Sequence, residues 1–258
     1  VEIDPEKKEI TGYNPVHRIY QGYGKEAGFS GHFVIQLNEE IADYGVWDST
    51  TITSGRKSAK GQKHAVGAWI KLASDKPGKT LVKVATSFTS IDNARKNLAS
   101  EIPEWDFNEV RQASSDTWNQ ALGQIAVKGN NEKEMVKFYS ALYNAHFLPR
   151  TFSDVDGSYP RFDGDGQIMK MDHGTYYCDF SQWDTYRAVH PLFSILNPSR
   201  NGDMAHSLVL KGQQGGWLPI FPSWNSYTAA MIGDHCIAMI GDAIVKDAPG
   251  FDYEEAYT

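Results

Sequence analysis

The hydrophobic pattern of this chain changes its period close to residue 90. Before that point, residues 31–37, 66–72 and 80–88 alternate apolar and polar side chains, and turn-forming residues separate them. After it, apolar residues recur at the spacing of an α-helix. Because side chains repeat every two residues in a strand and every 3.6 in a helix, the change predicts a β block followed by a helical part.

The β block begins with a predicted hairpin. Residues 2–4 and 9–11 flank a charged turn at residues 5–8, which is a hairpin pattern. In the strand over residues 31–37, the alternation predicts that Phe33, Ile35 and Leu37 share one face. Several short strands separated by turns are typical of a β-sandwich.

Three helices are predicted next. The first covers residues 91–98, with Asp92 as its candidate N-cap. The second covers residues 107–125 and the third residues 132–148, which Pro149 ends. The apolar stripes consist of Val110, Ala113, Trp118, Ala121, Leu122 and Ile125 in the second helix, and of Met135, Phe138, Tyr139, Leu142 and Tyr143 in the third. Such stripes are expected to face a core.

Residues 150–181 show little periodicity and are predicted to form a long loop. The loop carries the runs Asp154-Val155-Asp156-Gly157 and Asp163-Gly164-Asp165-Gly166. Such runs allow two interpretations, since oxygen ligands suit calcium and Asp and Gly favour turns. Plain turns are favoured because the spacing does not match an EF-hand loop. A loop of this length inside a compact domain is often functional.

Residues 179–192 (DFSQWDTYRAVHPL) combine acids, an indole, hydroxyls and an arginine. Buried polar groups cost free energy unless they are paired, so this segment is predicted to lie on a surface that binds a polar ligand. Trp183 offers a flat apolar face to a pyranose ring, and Asp184 can accept hydrogen bonds from its hydroxyls.

The second part of that segment is predicted to enter a helix over residues 185–196. Pro191 is its expected kink, and its inward residues are expected to be Ala188, Leu192, Ile195 and Leu196. Arg187 is expected to pair with a carboxylate that holds the loop, and Tyr186 and Tyr143 are expected to be core residues.

Two later stretches each allow two interpretations. A helix is predicted over residues 202–213, and the sequence Gly215-Gly216-Trp217 follows it. These glycines either let the backbone approach a ligand or form a tight turn with Trp217 in the core. A second, largely apolar helix is predicted over residues 227–245. It is interrupted at Asp234 and His235, which are either a buried hydrogen-bonded pair or site residues.

Composition excludes several classes of protein. The formal net charge is -7 and no basic block is present, which argues against a nucleic-acid partner. No apolar run reaches about 18 residues, so no membrane span is predicted. Cys178 and Cys236 are the two cysteines, which excludes a disulfide scaffold. Two buried free thiols are expected, with a single bridge as the alternative.

Six runs of the sequence carry a family resemblance. They are residues 14–22 (NPVHRIYQG), 27–31 (AGFSG), 93–98 (NARKNL), 183–192 (WDTYRAVHPL), 215–219 (GGWLP) and 231–235 (MIGDH). In this order, over nearly the whole chain, they resemble glycoside hydrolase family 92. The resemblance implies an N-terminal β-sandwich, a helical linker and an (α/α)6 catalytic barrel.

The resemblance also implies an activity. Members of this family are exo-acting, inverting, calcium-dependent α-mannosidases, so mannose-containing glycans are the expected substrates and calcium the expected cofactor. Export by a glycan-foraging bacterium is the implied localisation. The expected division is a part of the β-sandwich domain over residues 1–90, the helical linker over residues 91–130 and the first helices of the barrel over residues 131–258, in a multidomain α+β chain.

Two departures from the family pattern concern catalysis. Family members that cleave α-1,2 links carry a glutamate as general acid, and Tyr227 stands at the matching position here. A phenol with a pKa of about 10 is a poor acid at neutral pH, so a linkage other than α-1,2 is expected. The family's catalytic base is expected beyond Thr258, so the chain is expected to be an internal piece of a larger enzyme and inactive alone.

The residues expected to bind substrate follow from this resemblance. They are Trp183, Asp184, Gly215, Gly216, Trp217, Asp234 and His235; the calcium ligands stay unassigned. The alternative function is a non-catalytic carbohydrate-binding protein that kept the fold, and the loss of the glutamate at Tyr227 favours it.

Overall fold

The computed structural model describes residues 1–20, 22–49, 51–61, 65–73, 78–164 and 166–257. The strands within these ranges are β1 (Glu2–Asp4), β2 (Glu9–His17), β3 (Glu26–Leu37), β4 (Ile41–Asp48), β5 (Thr51–Ser54), β6 (Val66–Leu72), β7 (Val82–Ser87), β8 (Arg150–Thr151), β9 (Ser158–Pro160), β10 (Ile168–Lys170) and β11 (Tyr177–Cys178). The helices are α1 (Ile91–Glu101), α2 (Phe107–Leu122), α3 (Glu132–Ala145), α4 (Gln182–Thr185), α5 (Val189–Leu196), α6 (Pro198–Gly215), α7 (His235–Val245) and α8 (Tyr253–Tyr257). A β-sheet part therefore precedes a helical part, as the change of period predicts.

The chain divides into two compact units. The first unit consists of Val1–Pro15, Ser30–Asn108 and Asp154–Asp156. The second unit consists of Val16–Phe29, Glu109–Ser153 and Gly157–Thr258. Each unit is described separately below.

The first unit contains two antiparallel sheets. One has the strand order β1-β2-β3-β7 and the other the order β5-β4-β6. The predicted N-terminal hairpin is confirmed, since β1 pairs with β2 through Glu2↔Thr11, Ile3↔Ile10 and Asp4↔Glu9. These sheets and the helical part that follows confirm the predicted fold class, with a helical region that does not close a barrel within this chain.

Helix α1 covers one face of the first sheet. Val34, Ala94 and Leu98 are buried together there, so the face of β3 that packs under α1 is the one opposite to Phe33, Ile35 and Leu37. The predicted N-cap was wrong. The side chain of Ser90 accepts from the Asn93 backbone N–H, whereas Asp92 lies in the first turn and pairs with Arg95 at 2.7 Å.

A buried carboxylate joins the end of β7 to α1 in the first unit. The Asp154 carboxylate accepts hydrogen bonds from Ser87 Oγ at 2.8 Å, Thr89 Oγ1 at 2.5 Å, Asn93 Nδ2 at 3.2 Å and Asn97 Nδ2 at 2.7 Å. Gly157 then turns the chain with a φ of +83°, which supports the turn interpretation of this Asp-Gly run. Asp154 is a structural residue because neutral donors from the sheet and the helix share its charge.

Helices α2 and α3 begin the helical part of the second unit. They end at Leu122 and Ala145, three residues before each predicted end. No residue among those of α2 is buried, so the predicted inward stripe is not a core face here. Trp118 of α2 packs on Tyr143 of α3, with ring centroids 4.4 Å apart. Tyr143 is itself exposed, which corrects its expected place in the core.

The predicted long loop at residues 150–181 is organised instead into two small antiparallel sheets. β8 pairs with β11, and β9 pairs with β10. Strands of two or three residues are too short to produce a visible alternation, which explains the missed elements. Several side chains of this stretch are buried, namely Phe152, Tyr159, Phe162, Met171, Tyr176, Tyr177, Cys178 and Phe180.

The helical core of the second unit lies between α5, α6 and α7. Phe193, Met204, Leu208, Met239 and Ile240 are buried in it. The helix predicted over residues 185–196 begins only at Val189, as α5, and α4 is a separate short helix that ends at Thr185. Its predicted inward set was wrong, because His190 and Phe193 are the buried residues of α5 and Ile195 is exposed. Pro191 produces no kink because it lies in the first turn, where its missing N–H has no helical partner to lose.

The predicted helix over residues 227–245 begins only at His235. Ala229, Met231 and Gly233 have φ values of +49°, +66° and +90°, which no right-handed helix allows. Cys178 and Cys236 are both buried and free, as expected. Among the helices of the described residues, none is long and apolar enough to cross a membrane.

Candidate functional site

The segment predicted to bind ligand begins with a structural aspartate. Asp179 has a φ of +61°, forms an ion pair with Arg150 and accepts from the Trp224 backbone N–H at 2.8 Å. The Arg150 guanidinium in turn lies 4.6 Å from the centre of the Trp224 ring. These contacts fix the backbone that leads into α4 and occupy the Asp179 carboxylate. The residues that follow are therefore the candidates for ligand binding.

Helix α4 presents its middle residues to solvent. Gln182 is fully buried, whereas Trp183 and Asp184 are exposed. The Asp184 carboxylate accepts from the Ser181 hydroxyl at 2.5 Å. An exposed indole therefore lies beside an exposed carboxylate whose rotamer is held by a neighbour, which is an arrangement suited to a sugar.

The start of α7 packs against the end of α4. The His235 and Tyr186 rings are stacked with centroids 4.2 Å apart and an angle of 15° between their planes. Asp234 is exposed at the N-cap position, so Asp234 and His235 are not the buried pair that one interpretation proposed. Arg187 donates to the Tyr186 hydroxyl at 2.9 Å, where pairing with a carboxylate was expected. Tyr186 is half-buried. Together with Arg187 and His235 it forms a rim where α4 meets α7, and it is not a core residue.

Trp217 and Asp234 lie on one cleft of about 590 Å³. Its lining is mostly apolar and comes from three stretches of the connection between α6 and α7. The lining residues are Trp217, Leu218, Pro219, Ile220, Phe221, Tyr227, Thr228, Ala229, Gly233 and Asp234. Trp217 is 80% exposed, so the interpretation that placed it in the core was wrong.

The two glycines before Trp217 have different roles. Gly216 follows the last residue of α6 with a φ of +90° and donates its N–H to Gly212 O at 2.7 Å, which is the left-handed end that glycine favours. Gly215 faces Tyr227, and a Cβ built on Gly215 would lie 2.3 Å from the Tyr227 Oη. Gly216 therefore reverses the direction of the chain, and Gly215 lets the Tyr227 phenol pack against the backbone.

Tyr227 is bound to the turn that carries Trp217. Its hydroxyl donates to Trp217 O at 2.6 Å and accepts from the Trp217 N–H at 3.1 Å. The ring packs edge-on against Phe162, with centroids 4.8 Å apart. Burial raises the pKa of the Tyr227 phenol above its ordinary value, so it is a still weaker acid than a free tyrosine.

Sequence reasoning assigned no role to Tyr20 and Phe221, and Phe221 lines the cleft. Tyr20 is 44% exposed, and its ring meets the ring of Phe221 edge-on at 5.8 Å. Tyr20 belongs to the run 14–22 that carried the family resemblance, and that was the only signal in the sequence. Gln21 of the same run lies outside the described residues.

The interior behind the cleft holds a buried cation. Lys211 of α6 is fully buried, donates to Tyr177 O at 2.6 Å and lies 3.6 Å from the centre of the Tyr176 ring. Burial lowers the pKa of Lys211 to about 8. Nearby, the buried Asn225 donates to Pro160 O at 2.6 Å and accepts from the Tyr176 hydroxyl at 2.8 Å. These polar groups support the loops from within.

No group of three or more His, Cys, Asp or Glu side chains that could hold a metal ion occurs among the residues that the structure describes. Asp163 of the second Asp-Gly run accepts from Arg18 at 2.9 Å. Asp165 lies outside the described ranges. Within the described ranges, the acidic side chains therefore form no cluster of three or more ligands.

Comparison with known proteins gives the family. The sequence model of the glycosyl hydrolase family 92 N-terminal domain matches residues 1–87, and that of the family 92 catalytic domain matches residues 93–258. An uncharacterized secreted glycosidase of Arthroderma benhamiae is 32% identical over 190 residues, which are 72% of this chain and 20% of that relative.

Two solved structures resemble the fold. A family GH92 inverting mannosidase from Bacteroides thetaiotaomicron VPI-5482 has a TM-score of 0.83 and 25% identity, over 99% of this chain and 34% of that one. A family GH92 α-mannosidase from Bacteroides thetaiotaomicron has a TM-score of 0.81 and 31% identity, over 97% of this chain and 34% of that one. The chain thus spans about a third of the length of both structures. The chain belongs to glycosyl hydrolase family 92.

Proposed function

We propose that the full-length protein containing this chain is an exo-acting, inverting α-mannosidase that releases mannose from glycans. The observation that carries the proposal is the 31% identity to a family GH92 α-mannosidase over 97% of the chain. The exposed cleft beside Trp217 and Asp234 adds a surface of suitable chemistry, since aromatic faces stack on sugars and carboxylates accept from hydroxyls.

The chain contributes binding groups to this reaction. Trp217 and Asp234 line the cleft, and Trp183 and Asp184 are exposed on α4, which packs against α7. We assign Asp184 to accept hydrogen bonds from mannose hydroxyls, and Trp183 and Trp217 to shape the site. Gly215 and Gly216 set the turn, and His235 braces the rim through Tyr186.

Inversion requires an acid that protonates the leaving oxygen and a base that activates water, about 6.5–9.5 Å apart. Tyr227 stands where family members that cleave α-1,2 links carry the acid, and its phenol is a poor substitute. We therefore propose a linkage other than α-1,2. The base is proposed to lie beyond Thr258, so this chain alone is expected to bind sugar without turnover.

Calcium dependence is proposed for the full-length enzyme on the family resemblance. Because the described residues do not form a group of three metal-ligating side chains, we assign no step of the reaction to a metal held by them. Export of the enzyme by a bacterium is proposed on the same grounds, and a fungal relative is itself named a secreted glycosidase.

The second candidate is a carbohydrate-binding protein without catalysis. The specific observation in its favour is that the Tyr227 hydroxyl is engaged on both sides by Trp217, at the position of the family's acid. Such a protein would bind mannosides in the same cleft and release nothing.

The test is mannose release by the full-length polypeptide from α-1,2-, α-1,3- and α-1,6-linked mannobiosides. Each reaction is run with and without a calcium chelator, and the anomer formed first is identified by NMR. Chelator-sensitive release of β-mannose would support the proposal, and the preferred linkage would show what Tyr227 tolerates. Binding by calorimetry without any release would favour the second candidate, and β-linked mannobiosides serve as the negative control.

A further inference from the structure

One phenol occupies both backbone hydrogen-bonding groups of the residue that carries the exposed indole. A carbonyl oxygen only accepts and an amide N–H only donates, so the Tyr227 hydroxyl must donate to Trp217 O and accept from Trp217 N–H. Its single proton is therefore committed to a bond of 2.6 Å. To protonate a glycosidic oxygen, the phenol would first have to break that bond.

The position of the ring is also fixed. A Cβ on Gly215 would come within 2.8 Å of Tyr227 Cε2 and Cζ, so the ring lies directly on the glycine. Phe162, which is fully buried, packs edge-on against the same ring. The turn after α6 thus rests on a phenol that is itself held by the core.

We propose that Tyr227 is a positioning residue that pins the backbone of Trp217 and presets its indole on the cleft, and that it is not the proton donor. An indole that is 80% exposed has few packing contacts of its own to order it. Ordering a side chain on binding costs conformational entropy, and a preset side chain avoids part of that cost. The consequence for sugar binding rests on the proposed function, whereas the pinning of the backbone does not.

The first experiment measures amide hydrogen exchange in the full-length protein. Tyr227→Phe keeps the ring and removes both bonds, so the Trp217 amide should exchange about 5-fold faster, which corresponds to about 1 kcal/mol for one hydrogen bond. Unchanged exchange at Trp217 would overturn the proposal. Gly215→Ala keeps the hydroxyl but displaces the ring, and it should produce the same acceleration.

The chain offers a matched control for the loss of a hydroxyl. Tyr139 donates to Ile125 O at 3.1 Å and accepts from the Val127 N–H at 3.2 Å, so its phenol also bridges two backbone groups. Tyr139→Phe should accelerate exchange at Val127 and leave Trp217 unchanged. Acceleration at Trp217 in this variant would mean that the effect is a general loss of stability and would overturn the assignment.

The second experiment separates positioning from proton donation. Mannosides with good and poor leaving groups are compared in the wild type and in Tyr227→Phe. A positioning role predicts that KM rises by about 5-fold for every leaving group, that kcat changes by less than about 2-fold and that the pH profile stays in place. A rate loss in Tyr227→Phe that grows as the leaving group becomes poorer would identify a proton donor and overturn the proposal. A shift in the alkaline limb of its pH–rate profile would do the same. A wild type that releases no mannose would overturn the proposed function, and the exchange experiment would then decide the role of Tyr227.

Discussion

The surroundings of Asp154 in the first unit and of Asp184 in the second are opposite in kind. Asp154 is buried and accepts from Ser87, Thr89, Asn93 and Asn97, all of them neutral. Asp184 is exposed, next to an exposed indole, and accepts from the hydroxyl of Ser181. A carboxylate that is surrounded by donors stabilises the fold, whereas one that faces solvent beside an aromatic ring is available to a ligand.

Lys211 and Trp217 repeat this contrast within the second unit. Lys211 is fully buried against Tyr176 and Tyr177, and Trp217 is among the most exposed aromatic residues described. The difference teaches that the polarity of a residue type does not identify a site residue. The decisive quantities are its burial and whether its hydrogen bonds are already made by the protein.

The largest effect is expected from Asp154→Ala. Three buried donors and the half-buried Thr89 would lose a charged acceptor, so the free energy of unfolding of the first unit should fall by about 3–5 kcal/mol. Urea unfolding measures the loss, and hydrogen exchange in β7 and α1 assigns it to the first unit. Lys96→Ala is the control, since it removes a surface ion pair with Asp156 and should cost less than about 1 kcal/mol. Equal losses in the two variants would contradict the structural role of Asp154.

The next effect concerns the pH dependence that Lys211 produces. Burial lowers its pKa from 10.5 to about 8, so between these pH values the unfolded chain binds more protons than the folded one. Stability from this group must therefore rise with pH across that window, by about 3 kcal/mol in total. Lys211→Met should lack the rise.

The comparison with Lys211→Met is necessary because neighbouring groups act in the opposite direction. Burial raises the pKa of Cys178 from 9.0 to about 11 and that of Cys236 from 9.0 to about 12. Their contribution to stability is complete below pH 9.0 and is lost as the pH rises through the folded pKa. The wild type and Lys211→Met both keep these thiols and Asp179. The difference in unfolding free energy between the two proteins is measured at pH 7.5 and again at pH 10, and its change between these pH values isolates the contribution of Lys211. A constant difference would show that Lys211 titrates normally.

The order of the fold was predictable because it depends on local periodicity. Alternation identified the hairpin at residues 2–11 and the strands β6 and β7, and the helical spacing identified α1 and α6. The errors have physical causes. The backbone at Ala229 and Met231 has positive φ, which an apolar sequence does not reveal, so a helix was extended over it.

The candidate site was predictable in part for a similar reason. The mixture of residues around Trp183 and Asp184 indicated a surface, and both residues are exposed. The burial of Lys211 could not be predicted, because the aromatic rings around it come from residues that are distant in sequence, such as Phe162 and Tyr176. The bond between Tyr227 and Trp217 was missed because it depends on the turn at Gly216. The roles of the individual site residues and the proposed domain boundaries stay predictions.

The smallest effect on stability, and the sharpest contrast with Asp154, is expected from Asp184→Ala. Because Asp184 is exposed, the free energy of unfolding should change by less than about 0.5 kcal/mol. Turnover by the full-length enzyme should fall by about 100-fold or more, since each hydrogen bond to a charged group contributes about 1.5–3 kcal/mol. Ser181→Ala should keep the carboxylate but free its rotamer, and so cause a loss of only several-fold. Asp116→Ala, an exposed aspartate on α2, should change neither quantity. Near-normal mannose release by Asp184→Ala would remove its assigned role, and a loss of stability as large as that of Asp154→Ala would show that exposure does not separate the two carboxylates.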